Sequence, residues 1–168
     1  MAYLVSANDP ISKIPDVSQD CMECICKASS GCDETLKCHQ AVGGGGYLCG
    51  PYVVSWAYWY DGGRPGDKGK PEDFETCVTN RTCAEIAVRG YMLRYGRDCD
   101  DNKLIDCQDF ARIHKLGFDQ CSREIWDTEY WAKFETCIES APIESSKYER
   151  DPEDEDLEYY DEEYSEDL

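Results

Sequence analysis

The chain has 168 residues, with 36 acids against 17 bases and a formal net charge of −19. That length suits one domain with its own core. Such an acidic balance excludes the basic patches by which proteins hold nucleic acid or an anionic membrane, and no stretch is apolar enough to span one.

Twelve cysteines, an even number, all lie between Cys21 and Cys137. This usage points to an oxidised, disulfide-stapled, secreted protein. Cys21-x-x-Cys24 has the spacing of a zinc pair, but no second pair stands at a sensible gap and only two histidines exist, so neither a metal nor a cofactor is expected.

Residues 1–15, with Pro10 and Pro15, are expected to be a flexible arm. The opening "MAYLVSANDP" lacks a long apolar core, as in a mature chain whose leader has been removed. The ordered domain is expected over 16–140. Ser18 is a candidate N-cap for a helix running through Ala28. The glycine-rich run between Cys32 and Cys49 suits a small hairpin or an irregular loop. Residues 52–60, "YVVSWAYWY", allow either a short buried helix or a strand, because periodicity does not separate the two over so short a run. Thr82-x-x-Glu85 reads as a capping box opening a helix that stops at Gly96. Asp106 can cap "CQDFARIHKL", which ends at Gly117. Asp127 can cap a last helix with Tyr130, Trp131, Phe134, Cys137 and Ile138 on one apolar face.

Residues 141–168 carry 13 acids and 2 bases. This tail is dense in charge and poor in aliphatics, the composition of a disordered segment. Tyr159, Tyr160 and Tyr164 lie among its acids and are candidate sulfation sites. Asn80-Arg81-Thr82 is an N-glycosylation sequon.

Five pieces in order carry a resemblance: "CMECICKASSGC", "CGPYVVSWAYWYDGG", "CAEIAVRGYMLRY", "CQDFARIHKLG" and the final "YW…C". Together they resemble the invertebrate-type lysozyme family, which includes the destabilases. The resemblance implies a disulfide-rich α+β fold, predominantly helical, with a small β-sheet or hairpin beside a glycan cleft. It also implies the pairing Cys21–Cys107, Cys24–Cys137, Cys26–Cys32, Cys38–Cys49, Cys77–Cys83 and Cys99–Cys121. A further bridge of some members falls here on Gly62 and Ala87, so both of its halves are absent together.

Cleaving a glycosidic bond usually takes two carboxyl groups, one protonated as acid and one ionised. In the family the acid is a Glu in a "CxCxxESGC" pattern, and this chain reads "CICKASSGC", which places Ser29 there. The second carboxylate is an Asp in "CxxD", and this chain reads "CHQA", which places Ala41 there. Neither residue supplies a carboxyl group. Glu23, Asp33, Glu34 and Asp61 are the candidate replacement acids for an active glycosidase or antibacterial hydrolase. The family's "QIK"-like and "HNGGP"-like runs are replaced by Val53-Val54-Ser55 and by residues 114–118. Tyr58, Trp59 and Asp61 fit the family's "YWxD" segment and, with His114, form a candidate glycan cleft, although core packing is the favoured reading for Trp59. Some members also split isopeptide bonds with a serine and a basic partner. Ser29, Ser30 and Ser55 are the candidate hydroxyls, with His39 and His114 as bases.

The expected protein is therefore a secreted, monomeric, lysozyme-like molecule without catalytic residues that binds an amino-sugar glycan or a basic protein. One alternative is a hydrolase with relocated acids. Another is an inhibitor that acts through its acidic tail, where long-range attraction speeds association.

Overall fold

A computed structural model describes residues 14–141. The expected tail from 142 onward, with its tyrosines, and residues 1–13 of the expected arm lie outside the described residues.

The first helix, α1 (Gln19–Ser30), begins where Ser18 accepts a hydrogen bond from the Cys21 amide, 3.2 Å away. It ends at Gly31, whose left-handed φ of 74° suits glycine. Cys21, Met22, Cys24, Ile25, Cys26 and Ala28 are buried, so most of the helix surface faces other protein.

Three short strands follow, β1 (His39–Gln40), β2 (Tyr47–Cys49) and β3 (Val54–Ser55). They pair antiparallel in that order, with His39 opposite Leu48 and Leu48 opposite Ser55. The run 52–60 is thus divided. Val54–Ser55 joins the sheet, and α2 (Trp56–Asp61) then starts under the Ser55 hydroxyl. The strand reading holds for Val54–Ser55 and the helix reading for Trp56–Asp61, but of that helix only Trp59 is buried.

The next helix, α3 (Asp73–Val78), has no side-chain cap and no counterpart among the elements expected from sequence. In α4 (Arg81–Tyr95) the cap is Asn80, not Thr82. Asn80 has the extended backbone a cap requires, and it accepts from the Cys83 amide at 3.0 Å. Glu85 does not reach back to the helix start; its Oε1 accepts from Arg81 and from the Tyr52 hydroxyl. In α5 (Cys107–Leu116), Asp106 and Asp109 form a full capping box. In α6 (Glu129–Ser140) the cap is Thr128 instead of Asp127, because the Thr128 hydroxyl lies 3.2 Å from the Trp131 amide.

Six disulfides join Cys21–Cys107, Cys24–Cys137, Cys26–Cys32, Cys38–Cys49, Cys77–Cys83 and Cys99–Cys121, and no cysteine is free. Two of them fasten α1 to α5 and to α6. Trp131, Phe134, Met22, Ile25 and Ile113 fill the space between these helices. Each such side chain contributes about 1.5–3 kcal/mol when fully buried.

The α2 and α4 helices approach at glycines. A Cβ placed on Gly62 would lie 2.2 Å from the Ala87 carbonyl oxygen, and one on Gly90 would lie 2.1 Å from the Gly62 carbonyl oxygen. Where some members have a further bridge, this chain therefore has direct backbone contact.

Candidate functional site

A cleft of about 260 Å³ opens beside the sheet. Its walls come from five separate parts of the chain. The end of α1 gives Ser29, and the hairpin gives Gly45 and Leu48. The segment entering α2 gives Tyr52, Val53, Ser55 and Tyr58. The last turn of α5 gives His114 and Lys115, and α6 gives Tyr130. Val53 holds a left-handed φ of 54°, which is strained for a β-branched residue and costs about 1–3 kcal/mol.

His114 organises the floor. Its Nε2 is 2.9 Å from the Tyr52 carbonyl oxygen, and its Nδ1 is 2.9 Å from the Tyr58 hydroxyl. A carbonyl only accepts, so Nε2 carries the proton and Tyr58 donates to Nδ1. The ring is therefore neutral and fully engaged. Burial lowers its pKa to about 4, against a small opposing effect of the Tyr52 carbonyl. Burial also raises the Tyr58 phenol well above its ordinary value. Tyr58 stacks on Tyr91 with centroids 3.9 Å apart, and Tyr130 donates to the Ala111 carbonyl.

Ser29 lines this cleft, but its hydroxyl donates to the Ile25 carbonyl at 2.8 Å. Ala41 stands one step back from the rim, where its amide donates to the Gly46 carbonyl in the hairpin. Gly45, which does face the cleft, is close enough to Ala41 that an added Cβ would lie 3.1 Å from the alanine methyl.

Of the four expected cleft residues, only Tyr58 and His114 meet there. Trp59 is a correction. It is buried, packs against Phe74, and donates its indole N–H to the Pro65 carbonyl, because its face of α2 points into the core and not into the cleft. Asp61 is a second correction. It ends α2 away from the cleft and pairs with Arg94 at 3.7 Å.

The other candidate replacement acids are also committed elsewhere. Glu23 is paired with Arg81 and Lys27, and Glu34 with Arg81. Asp33 accepts from the amide and the hydroxyl of Thr35, which hold its carboxyl below the usual range. Among the described residues no Asp or Glu lines the cleft, and Lys115 is its only ionised side chain.

No serine is hydrogen-bonded to a histidine among the described residues. Ser30 donates to the Pro51 carbonyl, Ser55 caps α2, and His39 is exposed.

Sequence reasoning placed Lys115 only within the altered run 114–118 and did not single out Tyr52 or Tyr130 for the cleft. Lys115 was within reach, since it follows His114 in the last turn of a helix that the sequence does mark. Tyr52 and Tyr130 reach the cleft only through tertiary packing.

The comparisons agree with this architecture. The family model described as Destabilase matches residues 18–137. Lysozyme 1 of Crassostrea virginica is 38% identical over 120 residues, a match covering 70% of this chain and 58% of that protein. A lysozyme of Magallana gigas is 37% identical over 119 residues, covering 70% of this chain and 77% of its own length. Among solved structures, the lysozyme of Meretrix lusoria in complex with Aeromonas hydrophila PliI is similar, with a TM-score of 0.58 and 33% identity. That match covers 71% of this chain and 89% of the solved one. Tapes japonica lysozyme gives a TM-score of 0.56 at 28% identity, over 78% and 97% of the two chains. A helical body with a small sheet, stapled by six disulfides and matched by lysozymes over most of its ordered length, belongs to the Destabilase family of invertebrate-type lysozymes.

Proposed function

We propose that this protein is a secreted, monomeric lysozyme-like molecule that binds glycan in its cleft without cleaving it. The observation that carries this reading is the chemistry of the cleft wall. Ser29 and Ala41 occupy the positions that the family resemblance assigns to the two carboxyl groups, and no carboxylate lines the cleft among the described residues. A serine hydroxyl is too weak an acid to protonate a glycosidic oxygen near neutral pH, and a methyl group stabilises no cation. One positioned acid or base contributes about 10²–10⁴ in rate, so losing both leaves little above background.

The cleft retains the means to bind. Tyr58 is half-buried in its wall, Tyr52 and Tyr130 close it from behind, and Lys115 adds one positive charge. An amino-sugar glycan whose residues carry a carboxylate suits this lining. Asn80 is exposed and uses Oδ1 for its cap, which leaves Nδ2 for an N-linked glycan. The acidic tail remains a candidate docking segment for a basic protein, with Tyr159, Tyr160 and Tyr164 open to sulfation.

The test incubates the purified, oxidised protein with insoluble peptidoglycan. Co-sedimentation without released muropeptides is the expected result. Muropeptides appearing at rates typical of lysozymes would overturn the reading.

A further inference from the structure

The loop between α4 and α5 reads "DCDDNKLIDCQD", from Asp98 to Asp109. Its acids and amide recur at the spacing of a calcium-binding loop of the helix–loop–helix type. Such a loop supplies side chains from positions 1, 3, 5, 9 and 12 and a backbone carbonyl from position 7. Here those positions fall on Asp98, Asp100, Asn102, Leu104, Asp106 and Asp109. We propose that they bind one calcium ion.

The local geometry is that of a loop turned in on itself. The Lys103 amide donates to Asp98 at 2.9 Å, and the Leu104 amide donates to Asn102 at 2.8 Å. Lys103 holds a left-handed φ of 74° at the position where such loops have glycine. Asp106 is the N-cap of α5. Carboxylate oxygens of Asp98, Asp100 and Asp109 lie within 4.8 Å of one another.

A separate observation calls for a cation: one carboxylate oxygen is enclosed there without a partner. Asp98 Oδ1 is shut off from solvent and has no partner of its own, while Oδ2 accepts the Lys103 amide and the amides of residues 100–102 also face the carboxylate. Asp109 is fully buried. It accepts the amides of Cys99 and Asp106, but among the described residues it makes no ion pair with Lys, Arg or His. Lys103, the basic residue within the loop, pairs instead with Asp101, where both are exposed. A divalent cation would satisfy the orphaned oxygen and neutralise the convergent carboxylates together.

Two departures set the expected strength. Lysine replaces the turn glycine, and Asp109 is one methylene shorter than the glutamate that usually closes such loops in bidentate fashion. Both weaken the site, so its affinity belongs in the roughly 10⁻⁴–10⁻³ M range of extracellular calcium modules. The consequence reaches the cleft, since the loop leads directly into α5, which carries His114 and Lys115. This inference does not depend on whether the cleft binds or cleaves glycan.

The test uses the full-length oxidised chain, with calcium chloride as the probe and magnesium as the control. Hydrogen exchange is followed amide by amide. Calcium should slow exchange over residues 98–106, and calorimetry should show a site that Asp98→Asn/Asp100→Asn weakens at least tenfold. The acidic tail is intact in that variant, so diffuse binding there persists and is separated from the loop. Should the double variant misfold, Asp100→Asn alone, at an exposed position, serves the same purpose. Calcium that leaves exchange over 98–106 unchanged in the native chain, or binds the variant equally well, overturns the proposal.

Discussion

Tyr58 donates its hydroxyl proton to Nδ1 of His114, and this bond keeps a histidine neutral on the floor of the cleft. Protonating the ring would make the hydroxyl turn to accept and would place a charge in a buried site. The folded-state pKa of about 4 lies below the ordinary value of 6.5. The unfolded chain therefore takes up this proton first as pH falls. The stabilisation is complete above pH 6.5 and is lost progressively between 6.5 and about 4. Because part of the residue remains exposed, the loss is about 1–3 kcal/mol instead of the full shift. Thermal melts across this window should show the decline, and His114→Gln should flatten it. An equally steep decline in that variant would contradict the assignment.

Restoring the two missing groups tests the proposed loss of catalysis from the opposite side. Ser29→Glu combined with Ala41→Asp should raise peptidoglycan clearing by about 10² or more over the parent. Either substitution alone should do much less, since the two groups act as a pair. A double variant as inert as the parent would show that the altered cleft lining matters as much as the acids.

The contact between α2 and α4 leaves no room for a methyl group. Gly62→Ala and Gly90→Ala should each cost about 1–3 kcal/mol, since the obstacle in both cases is a backbone carbonyl that yields only if a helix moves. Denaturant midpoints read the effect directly. Gly69→Ala is not a suitable control, because its φ of 78° strains any side chain, whereas Ala132→Ser on the exposed face of α6 is suitable.

The Cys24–Cys137 bridge closes a loop of 113 residues and ties α1 to α6. Replacing both cysteines with alanine should cost about 2–5 kcal/mol. The melting temperature of the native protein should likewise fall when reductant is added. A reduced chain that melts at the same temperature would mean that the helices hold without their staples.

The legible parts of the fold were those fixed by neighbours in sequence. Ser18 and Asp106 each cap through an amide two or three residues ahead, and both were readable for that reason. Asn80 and Thr128 lie within two residues of the caps expected instead, and backbone conformation decided between near-equivalent polar side chains. The short α3 helix has no side-chain cap and so left no mark in the sequence. Trp59 and Tyr58 are adjacent on one helix, yet one enters the core and the other the cleft. Only the packing of α2 on α4 and α3 decides which. The "DxDxN" run from Asp98 was present in the sequence all along. It is an oxygen-ligand pattern, distinct from the cysteine spacing that dominates the chain.

The crosslinks also determine how the molecule behaves after damage. The bridges from Cys21 to Cys107 and from Cys24 to Cys137 both span the middle of the chain. A protease that nicks any exposed loop between residues 27 and 106, such as the turn-rich stretch before α3, leaves two pieces that remain covalently joined. In a digestive or inflamed fluid, such a particle would persist as one body long after its backbone had been interrupted.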